Sequence, residues 1–167
     1  RRRQRQMCIR DRTTSGEEIE IDLVIIGIGI LPETALAQSA QLEINNGILV
    51  NEYCCTSDRN IFAAGDNTNH FSPMLGRHIR LEAWLNAQDQ ALAAARNMCN
   101  EVKPYNKVPW MWTDQFNVNL QIAGAPVKWD RLRIRGDISK RDFIAFQFEN
   151  SLILSLIHIS EPTRRRT

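Results

Sequence analysis

No apolar run in this chain approaches the roughly 18 residues that a membrane-spanning helix needs, so the sequence offers no transmembrane segment. Cysteine is scarce and badly spaced for chemistry. Cys8, Cys54, Cys55 and Cys99 form none of the zinc-ligand or C-x-x-C redox patterns. That usage implies no oxidising compartment, and a cytoplasmic protein is expected. The chain also lacks a start methionine, a signal-peptide pattern, internal repeats and low-complexity stretches. What is present is ordinary for a globular chain: 167 residues, 43% hydrophobic and 24% charged, enough for one core or parts of two.

The net charge of +2 is set by the ends. Met7-Cys8-Ile9-Arg10-Asp11-Arg12 and Leu154-Ser155-Leu156-Ile157-His158 can be encoded by reverse-complementary DNA, and both resemble the transposon mosaic end used in sequencing-library adapters. Residues 1–12 and about 152–167 are therefore expected to be foreign and are set aside in reasoning about the fold. Residues 1–12 carry six Arg and one Asp, and residues 154–167 three Arg and one Glu; without them 12 basic and 17 acidic residues remain, a net −5. No nucleic-acid partner is expected, because the basic character lies in the ends.

Between the ends, Glu18 to Asp22 alternates and Leu23-Val24-Ile25-Ile26 is uninterrupted and rich in β-branched residues, which predicts a strand entering a buried sheet. Gly27-Ile28-Gly29 follows as a turn. Pro32-Glu33-Thr34 opens a short helix predicted to run through Ala40, and Asn45-Asn46-Gly47 is a turn before a strand at Ile48 to Val50. A second buried strand is expected at Ile61 to Ala64. Leu81, Trp84, Leu85, Leu92, Ala95 and Met98 recur at helical spacing over residues 81–99, the best helix in the sequence. Pro104 and Pro109 mark a boundary. Beyond it Asn119 to Ile122, Arg131 to Arg135 and Phe143 to Phe148 read as antiparallel strands.

Gly27-Ile28-Gly29 fails as a dinucleotide fingerprint, since Pro32 stands where the third glycine is required. It reads as a tight turn or as a backbone edge lining a ligand crevice. Asn60-Ile61-Phe62-Ala63-Ala64-Gly65-Asp66 is more telling. Ala-Ala-Gly lets a rigid ligand or another backbone come close, and Asp66 at its end could accept a hydrogen bond from a sugar or ribitol hydroxyl. The other reading makes Asp66 a turn or helix cap. His70 and His78 have no ligand or triad spacing and read as loop histidines, and the thiols read as inert.

Three motifs in order, NIFAAGDNT at 60–68, RLEAWLNAQ at 80–88 and PWMWTDQ at 109–115, resemble the flavoprotein ferredoxin reductases that serve bacterial aromatic-ring dioxygenases and cytochromes P450. DLVIIGIGILPETALA, from Asp22, resembles the last strand of their NADH-binding domain. The resemblance covers about residues 18 to 150. It implies an α/β fold, the end of a two-dinucleotide-binding-domain flavoprotein, followed by a truncated α+β antiparallel carboxyl-terminal domain. The implied divisions are 13–59, the end of the NAD(H) domain and the return to the FAD domain; 60–103, the last strand and helix of the FAD domain; and 104–151, the truncated reductase domain.

The same resemblance implies FAD as cofactor, NAD(P)H as electron donor and a [2Fe–2S] ferredoxin as partner. Asp66 would bond the FAD ribitol with Gly65 permitting the approach. Glu82, Ala83 and Trp84 would open a helix aimed at the flavin's pyrimidine end, where a helix amino terminus stabilises negative charge. Trp112 would lie beside the flavin; Trp110 and Trp112 could also both pack inward as core residues. Gly27, Ile28 and Gly29 would face NAD(P)H. Arg131, Arg133 and Arg135 share one strand face and could steer an acidic ferredoxin, or form a solvated face. Because the glycine-rich fingerprints are absent, the chain is expected to be a fragment that alone would not move electrons. A rubredoxin reductase, an apoptosis-inducing-factor-like flavoprotein and a non-enzymatic binding module stand as alternatives.

Overall fold

The computed structural model describes residues 9–125 and 128–160, in two units divided between Leu31 and Pro32. In the first unit β1 (Ile9–Arg12) pairs antiparallel with β2 (Glu18–Ile21), Ile9 opposite Ile21. The turn closes through the Gly16 N–H on the Thr13 carbonyl at 2.9 Å. Residues 1–12 were set aside as foreign; Ile9–Arg12 nevertheless supplies the partner strand, and residues 1–8 lie outside the described residues. The strand expected at Leu23 to Ile26 does not form: the run is irregular, and Ile25 is 87% exposed. A continuous apolar run builds a buried strand only with neighbours on both sides, and none flanks it among the described residues.

The second unit begins with α1 (Ala35–Ser39), shorter than predicted, whose first turn is held by the Glu33 carboxylate accepting from the Ala35 N–H at 2.8 Å. The Asn45-Asn46-Gly47 turn leads into β3 (Ile48–Val50). Gly47 sits at φ +126°, and a Cβ there would stand 2.9 Å from the Asn67 carbonyl oxygen, so only glycine fits. β3 pairs parallel with β4 (Thr68–Ser72), which pairs antiparallel with β5 (Arg77–Ile79). The pattern predicted neither β4 nor β5. His70 and His78, expected in a loop, belong to these strands, and His70 is buried.

The strand expected at Ile61 to Ala64 is also corrected. It shrinks to one antiparallel bridge, Cys55 with Phe62, its peptide groups bonded to residues 54–56 rather than to a sheet: Ala63 N–H to Cys54 at 3.1 Å, Thr56 N–H to Ile61 at 2.9 Å. Around it lie two small cores, Ala37, Ile48 and Val50 with Leu42 and Ala63, and Cys54, Ala94 and Tyr105 with Phe62 and Ala64.

Helix α2 (Trp84–Met98) forms where expected but turned about its axis. Its buried residues are Asn86, Gln90, Ala94 and Asn97, spaced by four, four and three, while Trp84, Leu92 and Met98 of the predicted apolar face are exposed. Among the described residues no helix is long and apolar enough to cross a membrane.

After Pro109 come β6 (Trp110–Gln115), β7 (Val118–Gly124), β8 (Arg131–Asp137), β9 (Asp142–Glu149) and β10 (Leu152–Ser160), all antiparallel in the order β6-β7-β10-β9-β8. Leaving residues 152–167 out of the fold is corrected for Leu152–Ser160, the middle strand, bonded to β7 and β9; residues 161–167 lie outside the described residues. The register fixes both faces. Met111, Ile122, Ile157, Ala145 and Ile134 stand in one row, and Trp112, Gln121, His158, Ile144 and Arg135 in another. The two rows point to opposite sides, so the tryptophans and the arginines share a face.

Candidate functional site

The site grows from the turn after Ala64. Gly65 has φ +93°, a backbone region that β-carbon-bearing residues rarely enter. A Cβ at Gly65 would meet Ala87 at an ordinary 3.7 Å, so the sign of φ, not crowding, calls for glycine. The Gly65 N–H points into the protein and donates to Gln90 Oε1 at 2.8 Å. The Thr68 hydroxyl lies 2.8 Å from the Gly65 carbonyl and 3.0 Å from Gln90 Oε1. Asp66 is exposed, and its carboxylate has no hydrogen-bond or ion-pair partner among the described residues. A capping carboxylate would hold a nearby N–H, and this one holds none.

Arg80 links this turn to the start of α2. Its Nη1 reaches the Asp66 backbone oxygen at 3.4 Å and the Glu82 carboxylate at 2.5 Å. Residues 66 and 82 are thus tied to one guanidinium, whose side chain is only 14% exposed. Ala83, the residue before α2, is extended at φ −148°, ψ 133°, and no side chain caps the helix. Its first N–H groups are therefore free to meet an external acceptor, at the positive end of the helix dipole. No acidic residue lies in that first turn.

Aromatic rings border the same helix start. Trp84 meets Trp112 edge-to-face, centroids 6.3 Å apart at 89°, and Trp112 stacks on Trp110 at 5.2 Å and 25°. Trp84 is 64% exposed and Trp112 42%. As expected for residues two apart in a strand, Trp110 and Trp112 face one way, but they are not packed inward. A cavity of about 50 Å³ between α2 and β6 is lined by Leu81, Glu82, Ala83, Asn86, Met111 and Ile122. A larger groove, about 530 Å³, runs past Leu36, Ala37, Ile48, Ala63, Ala64 and Asn67. It is the roomier of the two and mostly apolar, with Glu33 and Asn67 among its lining.

The structure thus gathers Gly65, Asp66, Glu82, Ala83, Trp84 and Trp112 around Arg80 and the start of α2. Gly27, Ile28 and Gly29 belong to the first unit, where Ile28 is exposed and nothing lies within 4 Å of a Cβ built at either glycine. Arg131, Arg133 and Arg135 are exposed on β8 and carry no ion pair among the described residues; Arg131 lies over the Phe148 ring at 4.6 Å. Burial pushes the Cys54 thiol up to about 11 and raises that of Cys55, with Asp58 adding to the latter. Among the described residues no cluster suits a metal ion.

Arg80, Asn86, Gln90 and Tyr105 escaped the reading of the sequence. Asn86 and Gln90 stand four apart on one helix face, a spacing visible in the sequence once polar as well as apolar periodicity is counted. Tyr105 donates its hydroxyl to Asn86 Oδ1 at 3.0 Å.

Residues 4–91 match the family described as pyridine nucleotide-disulphide oxidoreductase, and residues 110–166 match the family described as reductase C-terminal. The chain is 43% identical over 133 residues to the ferredoxin–NAD(+) reductase component of the anthranilate 1,2-dioxygenase system of Burkholderia cepacia, covering 80% of this chain and 33% of that one. It is 35% identical over 147 residues to the rubredoxin–NAD(+) reductase of Ectopseudomonas oleovorans, covering 87% and 38%. Its fold superposes on the reductase in the covalent putidaredoxin reductase–putidaredoxin complex with a TM-score of 0.83 at 33% identity, covering 94% of this chain and 40% of that one. The chain therefore spans between a third and two fifths of the length of these proteins.

Proposed function

The chain belongs to the pyridine nucleotide-disulphide oxidoreductase family, and from that premise we propose that it forms one side of the flavin site and the electron-exit face of a reductase carrying electrons from NAD(P)H through FAD to a [2Fe–2S] ferredoxin. The observation that carries the proposal is the tie between Asp66 and the uncapped start of α2 through Arg80, with Trp84 and Trp112 in contact beside it. That set of groups fits FAD: an unpartnered carboxylate for polyol hydroxyls, free N–H groups for a ring carbonyl, and aromatic surface for a flat ring system. FAD, when bound, supplies the hydride and single-electron chemistry.

The residues do the rest. Asp66 accepts from the ribitol chain, and the inward-turned Gly65 keeps that carboxylate outward. The free N–H groups at Trp84 and beyond favour negative charge at the pyrimidine end of the ring. Glu82 would oppose such charge, and its ion pair with Arg80 reduces that opposition. Trp84 and Trp112 exclude water from the ring edge. Gly27, Ile28 and Gly29 offer a side-chain-poor edge to NAD(P)H.

For electron exit, Trp110 and Trp112 lie at one edge of a sheet face whose other edge carries Arg131, Arg133 and Arg135. An acidic carrier steered by the arginines would dock on that face, with its metal centre toward the tryptophans. A rubredoxin would use the same face, and the relative from Ectopseudomonas oleovorans keeps that second reading in play.

A chimera tests the proposal: the amino-terminal two thirds of the Burkholderia cepacia relative joined to this chain. NADH-dependent bleaching of a [2Fe–2S] ferredoxin is expected, with loss of activity in the Asp66→Ala form. Reduction of rubredoxin alone would establish the second reading. A flavin-loaded chimera that reduces a dye but neither carrier would overturn both.

A further inference from the structure

Helix α2 buries a polar stripe that the flavin proposal does not use. Gln90 is fully buried, and its Oε1 takes the Gly65 N–H at 2.8 Å, shares the Thr68 hydroxyl at 3.0 Å and lies 3.5 Å from the Asn86 amide nitrogen. Its other amide atom, Nε2, is buried with no partner. A methionine or leucine would fill the same volume without stranding a donor, so packing does not select an amide here. The acceptor oxygen does. Gly65 at φ +93° turns its N–H inward to that oxygen, and the same turn sends the Asp66 side chain out to solvent. Asn86 is fixed in turn by the Tyr105 hydroxyl at 3.0 Å, so the acceptor is anchored from both helix and loop.

We propose that Gln90 is a positioning residue that holds the Gly65–Asp66 turn and so aims the Asp66 carboxylate at the flavin's polyol chain. The proposal rests on the reading that Asp66 binds FAD. Gln90 touches no ligand itself, and its effect passes through residue 66.

The test uses the chimera described above, freed of flavin, in its unchanged, Gln90→Met, Gln90→Glu, Asp66→Ala and Gln90→Met/Asp66→Ala forms. Dissociation constants are measured for FAD and for lumiflavin, which lacks the polyol chain, and hydrogen exchange is measured at the Gly65 amide. Gln90→Met is expected to speed Gly65 exchange and weaken FAD about tenfold, the loss of roughly one hydrogen bond, without changing lumiflavin binding. Gln90→Glu, which keeps an acceptor at the same reach, is expected to restore both FAD affinity and Gly65 protection. In the Asp66→Ala background Gln90→Met should add nothing to the loss of FAD. Equal weakening of FAD and lumiflavin, or full additivity with Asp66→Ala, would overturn the proposal. If Asp66→Ala alone leaves FAD binding unchanged, the flavin reading of Asp66 fails instead. Gly65 exchange then still decides whether Gln90 sets the turn: unchanged protection in Gln90→Met refutes it, and loss recovered by Gln90→Glu supports it.

Discussion

Helix α2 and the five-stranded sheet both bury polar side chains, but only the helix uses them to hold backbone. The helix hides Asn86, Gln90 and Asn97 and leaves Trp84, Leu92 and Met98 in solvent. The sheet sets an apolar row from Met111 to Ile134 on the face opposite its arginines, exposed at both ends and buried at Ala145, and it also buries Gln147 and Ser155. The difference lies in what each element faces. Strands satisfy one another's peptide groups, and among the described residues the buried Gln147 and Ser155 side chains hold no backbone group. Helix α2 faces irregular chain at residues 53–66 and 100–105, whose peptide groups have no ladder. Gln90 takes the Gly65 N–H; Asn97 takes the Lys103 N–H at 2.9 Å and donates to the Lys103 carbonyl at 3.0 Å. Buried backbone without a ladder requires side-chain partners, and the helix supplies them.

If that contrast is real, the largest effect should come from breaking the polar stripe. Asn97→Ala would remove both hydrogen bonds to the Lys103 backbone and is expected to lower stability by about 2 kcal/mol in urea unfolding. An effect below about 0.5 kcal/mol would mean that the stripe is incidental.

Acidification should strike the same side of the molecule. Burial first, and His78 second, push His70 down to about 4 from its ordinary 6.5. His70 packs edge-on against the Tyr105 ring, 5.3 Å between centroids. A histidine held neutral in the fold takes up a proton on unfolding, so its stabilisation is complete above pH 6.5. It declines between 6.5 and 4. The loss should reach about 2 kcal/mol by pH 5, and His70→Gln should flatten that slope in urea midpoints measured from pH 7.5 to 4.5. A slope that survives the substitution would assign the acid sensitivity elsewhere.

The sheet should show the reverse signature: functional loss with stability intact. Converting Arg131, Arg133 and Arg135 together to Glu is expected to slow ferredoxin reduction by the chimera about tenfold at low salt. The difference should shrink as salt screens it, with the unfolding midpoint nearly unchanged. The smallest effect belongs to the outward face of α2, where Leu92→Gln should cost under about 0.5 kcal/mol. A large loss there would restore the apolar side as the helix's packing face.

The sequence made the punctuation and the alternating strands legible. Asn46-Gly47 marks the turn before β3, the end of α2 falls before Pro104, and β7, β8 and β9 follow their alternation. β4 and β5 were hidden because Thr68, Asn69, His70 and Ser72 carry no apolar alternation, although all four are buried. Leu23 to Ile26 and Ile61 to Ala64 misled in the opposite direction, since a buried-strand composition presupposes neighbours that the run itself cannot provide. At the site, Gly65, Asp66, Glu82, Ala83, Trp84 and Trp112 were readable as neighbours only through the resemblance. Arg80 and Gln90 were not, because each acts on peptide groups of a turn distant in sequence, and backbone partners leave no mark on residue identity.

The central claim, that Asp66 and the start of α2 grip one flavin beside two tryptophans, is most directly tested by titrating FAD into the flavin-free chimera and its Asp66→Ala form while following tryptophan emission. Saturable quenching in the unchanged chimera, with half-saturation shifted at least about tenfold in the variant, is expected for loss of a charged hydrogen-bond acceptor. Identical curves for the two proteins, or no quenching in either, would contradict it.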